Sequence, residues 1–138
     1  EPEATAAAFD GEGWFRTGDL GFVDADGYLT ITGRRKDIII RKGENISANE
    51  IEDLLYSHPK VADVAVIGLP DPARGELVCA IVTAHAGEAA LGFDEMVEHF
   101  RAARVMTQKI PERLEVVDAI PRNPTGKILK QELRRRFA

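Results

Sequence analysis

The strongest constraint on the fold is a pair of β-branched, apolar runs at residues 61–67 and 76–84, separated by Leu69-Pro70-Asp71-Pro72. Runs of this length and composition read as strands, and the proline-rich segment reads as a rigid loop between them. Amphipathic helices flank them. Ser47-Ala48-Asn49-Glu50 has the form of a capping box, followed by an apolar face of Ile51, Leu54 and Leu55, with Pro59 closing the helix. Phe93, Val97 and Phe100 recur at helical spacing and predict a helix over about 94–105. Residues 113–117 form a short strand, and Leu129, Leu133 and Phe137 place the last segment on a helix. Ile38-Ile39-Ile40 reads as a short buried strand turned by Lys42-Gly43. Phe22 to Ile31 reads as a hairpin around Asp24-Ala25-Asp26-Gly27. Those two aspartates do not make an EF-hand, because Leu29 and Arg35 stand where Gly and Glu are required. Strands and helices that alternate at such short spacings predict a small α+β domain with one short, mostly antiparallel sheet covered by helices.

The chain has 138 residues, about one domain's worth and short for enclosing two or three substrates. No apolar run approaches the ~18 residues of a membrane span. A single cysteine excludes a disulfide framework and a cysteine-cluster zinc site. Cys79 lies in Leu77-Val78-Cys79-Ala80-Ile81 and reads as inert core. His58, His85 and His99 lack metal-ligand spacing, so no metal site is expected; His58, just before Pro59, reads as a helix-end residue favoured by the dipole. Glu1-Pro2-Glu3 carries no initiating Met, basic region or apolar core, so the sequence reads as entered partway, with the cytoplasm as default compartment.

Charge is unevenly placed. The net charge is −5, yet residues 34–42 and 122–136 together hold 11 of the 18 basic residues and only 2 of the 23 acidic ones. Basic patches on an acidic body suit a compact polyanion such as a nucleotide, although solvated loop and helix faces would look the same. Nucleic acid is disfavoured, since no aromatics interleave with the charges.

Three segments offer chemistry. Asp19, in Thr17-Gly18-Asp19-Leu20-Gly21, is either a turn residue or a carboxylate able to accept two ribose hydroxyls. Arg34, in the charged linker Gly33-Arg34-Arg35-Lys36-Asp37, carries a planar donor fork suited to ribose or phosphate. Lys127 ends Pro121-Arg122-Asn123-Pro124-Thr125-Gly126-Lys127, a point charge on a loop shaped by Pro and Gly. It can stabilise charge developing on a phosphoryl or acyl-phosphate group. The Gly-Lys pair is not a P-loop, because the upstream glycine spacing and the following Ser or Thr are absent.

Taken together, these segments resemble the adenylate-forming superfamily of acyl-CoA synthetases, adenylation domains and luciferases. Gly13-Trp14-Phe15-Arg16-Thr17-Gly18-Asp19, the segment from Gly33 through Lys42-Gly43-Glu44-Asn45-Ile46, and the Pro121–Lys127 loop are similar to three of its ordered motifs. The wording is most similar to fatty and aromatic acyl-CoA synthetases. The resemblance implies that residues 1–33 are the tail of a large N-terminal AMP-binding domain, ending in a β-hairpin remnant. It likewise makes 34–36 a hinge and 37–138 the mobile C-terminal domain. Asp19 would hold the ribose of ATP or AMP with Arg34 assisting, and Lys36 would fall at the hinge. Gly43 would line the pantetheine tunnel, and Lys127 would bridge the substrate carboxylate and the α-phosphate. Implied substrates and cofactors are a small carboxylic acid, ATP with Mg2+, and CoA, with the missing N-terminal domain as partner. A homodimer that buries the orphaned face is a further option. The chain alone is expected to be inactive in adenylation. A carrier-protein-loading adenylation domain and a non-catalytic nucleotide-binding or interaction module stay open as alternatives. The ending Arg136-Phe137-Ala138 offers no peroxisomal tripeptide.

Overall fold

The computed structural model describes residues 2–138. The chain divides into two compact units, with the boundary between Lys36 and Asp37.

The first unit begins with helix α1 (Pro2–Ala8), which buries none of its residues. Strands β1 (Asp19–Val23) and β2 (Leu29–Arg34) then pair antiparallel around a tight turn at Gly27, where φ is +87°. Gly33 and Arg34 belong to β2, and Arg35–Asp37 forms a single 3-10 turn, so the expected linker is regular structure throughout. Trp14, Phe15, Phe22, Val23, Tyr28, Leu29 and Ile31 are all exposed. A two-stranded sheet that shows this much apolar surface is marginal by itself.

The second unit holds the core. Strands β3 (Ile38–Arg41) and β4 (Glu44–Ser47) form a hairpin, helix α2 (Ala48–Tyr56) follows, and β5 (Asp63–Asp71) and β6 (Gly75–Thr83) form a long hairpin. After helix α3 (Phe93–Ala102), strand β7 (Arg113–Val116) enters and helix α4 (Lys130–Phe137) ends the chain. The sheet order is β4-β3-β6-β5, with β7 parallel to β6; the other pairings are antiparallel. Side chains of β5 and β6 alternate between two apolar clusters. Val64, Val66, Val78, Ala80 and Val82 face α2 and α3, through Ile51, Leu55, Met96 and Phe100. Ala65, Ile67, Leu69, Cys79 and Ile81 face Leu133 of α4. Both faces are covered, which is why these strands read as continuous apolar runs rather than as strict alternation.

Several expectations are corrected. Residues Leu69, Pro70 and Asp71 are not loop but the end of β5, with Pro70 opposite Glu76. β5 is an edge strand, and Pro70 shares the parity of Val64 and Val66, whose amides point away from β6, so its missing N–H breaks no ladder bond. Ser47 makes no side-chain cap, and Glu50 pairs instead with Lys109 at 2.5 Å. Phe93 is exposed and Met96 lies in the core instead, because Phe93 is only the first residue of α3 while the buried stripe runs through Met96 and Phe100 with Val97 packed beside it. In β3 only Ile39 is fully buried, while Ile40 points to solvent.

Candidate functional site

In the first unit, Asp19 is the opening residue of β1 rather than part of a glycine loop. It stands directly across the strand pair from Arg34. Arg34 Nε is ion-paired with Asp19 Oδ1 at 2.8 Å, so the hairpin register itself brings these two predicted residues together. Their backbone neighbours are fixed as well: the Asp19 amide donates to Thr17 Oγ1 at 3.0 Å, and the Arg35 amide to the Gly18 carbonyl at 2.8 Å. Thr17, Gly18, Arg34, Arg35 and Lys36 line an open pocket of about 450 Å³. Three cations around one concavity suit an anionic ligand. Lys36 itself is exposed, in the 3-10 turn.

In the second unit, Gly43 and Lys42 make the two-residue β3–β4 turn, with φ of +80° and +51°. Two left-handed residues in a two-residue hairpin loop define a type I′ turn, which glycine adopts without strain. No atom lies within 4 Å of where a Gly43 Cβ would sit, so the turn presents open backbone. The Lys42 amide donates to the Arg74 carbonyl at 2.7 Å, tying this turn to the β5–β6 connection. Arg41, beside the turn, is ion-paired through Nε to Glu112, whose other carboxylate oxygen accepts the Val78 amide.

Lys127 lies in a loop whose shape rests on one side chain. Asn123 Oδ1 accepts from the Thr125 amide, the Thr125 hydroxyl and the Lys127 amide, at 3.1, 2.8 and 2.8 Å. The Asn123 amide donates to the Lys127 carbonyl and the Gly126 amide to the Asn123 carbonyl, with Gly126 at φ +84°. An isolated antiparallel bridge between Arg122 and Ile128 closes the loop. The Lys127 side chain is exposed, and among the described residues its ammonium has no hydrogen-bond or ion-pair partner. The loop is therefore a stiff arm carrying an uncommitted positive charge.

Arg122 attaches that arm to the domain. Its Nη2 contacts both oxygens of Asp63 at 2.8 Å, and its Nη1 donates to the Gly126 carbonyl at 2.8 Å. Tyr56 Oη donates to Asp63 Oδ1 at 2.5 Å. Burial pushes the Asp63 carboxyl up, but the hydrogen bonds from Arg122, Tyr56 and the Val64 amide outweigh it and hold the group below the usual aspartate value. Burial, then the bond to Asp63, raises the Tyr56 phenol.

Asp63 and Tyr56 escape a motif search because they lie on β5 and α2, far from the loop in sequence. Asn123 carries a local signal, a turn-forming Asn three residues before a Gly. The Lys127 arm meets β5 at Asp63, and the Gly43 turn is tied beside Asp71–Arg74 at the other end of that strand. Eight residue steps at about 3.3 Å put the two attachment points roughly 26 Å apart.

The remaining candidates fall away from these loops. Cys79 is fully buried, and burial pushes its thiol up to about 12. His58 is buried edge-on against His99 at 4.9 Å. Burial, then His99, lowers its pKa, so it is not the dipole-favoured cation expected at a helix end. Among the described residues no group of three or more His, Cys, Asp or Glu comes together to hold a metal, and no helix is long and apolar enough to cross a membrane.

A family model described as the AMP-binding enzyme C-terminal domain matches residues 50–127, more than half of the chain. The chain belongs to this family. It is 47% identical over 135 residues to a medium-chain fatty-acid–CoA ligase of Escherichia coli, covering 98% of this chain and 24% of that protein. It is 47% identical over 137 residues to the long-chain-fatty-acid–CoA ligase FadD13 of Mycobacterium tuberculosis, covering 99% and 26%. Among solved structures, ATP-bound MatB from Rhodopseudomonas palustris matches with a TM-score of 0.88 and 37% identity, over 99% of this chain and 27% of that one. The chain thus spans about a quarter of the length of the relatives it matches, and its family region contains both the Asp63–Arg122 clamp and Lys127.

Proposed function

We propose that this chain is the C-terminal portion of an AMP-forming acyl-CoA synthetase. Residues 1–33 are the tail of its N-terminal AMP-binding domain, 34–36 its hinge and 37–138 its mobile domain, although Glu1 lies outside the described residues. The division into compact units next to Lys36, and the exposed apolar hairpin before it, support this partition. The reaction has two steps. A carboxylate oxygen attacks the α-phosphorus of ATP, expelling pyrophosphate and leaving acyl-AMP. The CoA thiol, losing its proton, then attacks the acyl carbon and expels AMP.

The observation that carries the reading is a pair of distinct working loops at opposite ends of one small sheet. One is an unpaired cation on a stiff arm; the other is an open glycine turn. A two-step enzyme can use each end for one step. Lys127 lies between the incoming carboxylate and the α-phosphate, where a preorganised charge favours the transition state. Asp19 accepts the ribose hydroxyls with Arg34 beside it, and Lys36 is the pivot. Gly43 lets the pantetheine arm approach backbone closely, because a side chain there would occupy the open side of the turn. ATP and CoA are substrates of the complete protein. Mg2+ accompanies ATP in the complete protein, and Lys127 is the charge that this chain brings to the adenylation step.

The test is Lys127→Ala in the complete enzyme. Acyl-AMP formation should drop by about 10²–10³, while CoA attack on supplied acyl-AMP is largely spared. An equal fall in both half-reactions overturns the assignment. The 138-residue chain alone should support no carboxylate-dependent ATP–pyrophosphate exchange.

A further inference from the structure

We infer that Arg122 is a positioning residue for Lys127, acting with Asp63 and Tyr56 as a clamp that fixes where the arm stands on the domain. This rests on the adenylation role given to Lys127 above. The bonds centred on Asn123 shape the loop but all lie within residues 123–127, so they do not orient it against the sheet. Arg122 does both jobs at once. One nitrogen grips Asp63 at the start of β5, and the other holds the carbonyl of Gly126, the residue immediately before Lys127. Asp63 is itself held by Tyr56 from α2 and by the Val64 amide, so the chain of contacts runs from helix to strand to arm.

The chemistry of the side chain matters here. A planar guanidinium can serve two acceptors in fixed directions; a lysine ammonium at the same place keeps the charge but not the fork. The pair is also partly open to solvent, with 39% and 25% side-chain exposure for Arg122 and Asp63. Ion pairs in such positions add little to stability. A displacement of about 1 Å at a reacting group can nevertheless cost on the order of 10²-fold in rate. The clamp should therefore matter to rate far more than to folding.

The experiment uses Arg122→Lys and Asp63→Asn in the complete enzyme and in this 138-residue chain. In the enzyme, kcat for acyl-AMP formation should fall about 10- to 100-fold, with KM for ATP and acid little changed and the CoA half-reaction intact. Tyr56→Phe, which removes one of the bonds to Asp63, should give a smaller loss in the same direction. In the chain, hydrogen exchange at the Lys127 and Gly126 amides should rise at least several-fold, while the urea midpoint stays near wild type. Full adenylation activity in Arg122→Lys overturns the inference. So does unchanged exchange at those amides, or a loss of both half-reactions together with the urea midpoint. The exchange measurement needs no catalysis, so it still tests the clamp if Lys127→Ala should prove harmless and the adenylation reading fail.

Discussion

Glu52 on α2 and Lys130 at the start of α4 meet at 2.8 Å, each with only 14% of its side chain exposed. The same Glu52 oxygen accepts the Val66 amide at 2.8 Å, covering the open edge of β5. The Lys130 ammonium has no aligned hydrogen-bond acceptor, so the pair acts through charge. Glu52→Ala would leave the Val66 amide without its acceptor, about 1–3 kcal/mol, and a largely buried ammonium without a counter-charge, about 3–5 kcal/mol. These overlap, and the flexible Lys130 stem can turn its head toward water, so a loss of roughly 3 kcal/mol is expected. Glu52→Gln keeps an acceptor for Val66 and drops only the charge, as Lys130→Met drops the other; each should cost about 2 kcal/mol. The double variant removes both charges together and should cost no more than about 2 kcal/mol in total, giving a coupling near 2 kcal/mol. With m at roughly 2 kcal/mol/M, Glu52→Gln and Lys130→Met each move the urea midpoint by about 1 M and Glu52→Ala by about 1.5 M. Far-UV circular dichroism is the appropriate readout, because Trp14 lies in the first unit and is 70% exposed. A coupling below about 0.5 kcal/mol would refute the reasoning, since independent sites add to within that margin.

His58 gives a pH signature. Burial lowers its folded-state pKa below the usual 6.5, so its neutral form supports the fold at pH above 6.5. That contribution is lost as pH falls through 6.5 toward the lower folded value. The urea midpoint should accordingly decline between pH 7.5 and 5.5, and His58→Gln should flatten that decline; an unchanged slope rejects the assignment. Gly43→Ala meets no neighbour but must adopt φ near +80°, at about 1 kcal/mol. In the complete enzyme it should slow the CoA half-reaction more than acyl-AMP formation, as separate assays of each would reveal.

What the amino-acid sequence determined by itself is local. The positions of β3, α2, β6 and α4 follow from short-range periodicity, the Lys42-Gly43 turn from its residue types, and the Lys127 arm from its Pro, Asn and Gly spacing. Asp19, Arg34, Gly43 and Lys127 could be proposed from the sequence because each sits in a contiguous motif. Contacts between segments decided the rest. Pro70 could join β5 only because that strand lies at the sheet edge, a fact of strand order rather than of residues near Pro70. Glu50 took Lys109 instead of its own helix end, because a residue 59 positions away came within 2.5 Å. Asp19 met Arg34 through hairpin register, and Arg122 met Asp63 and Tyr56 through the packing of the last loop on β5 and α2. Residue types along the chain set local backbone preference; which charges face each other across the sheet is fixed only when burial of both its faces brings distant segments into one register.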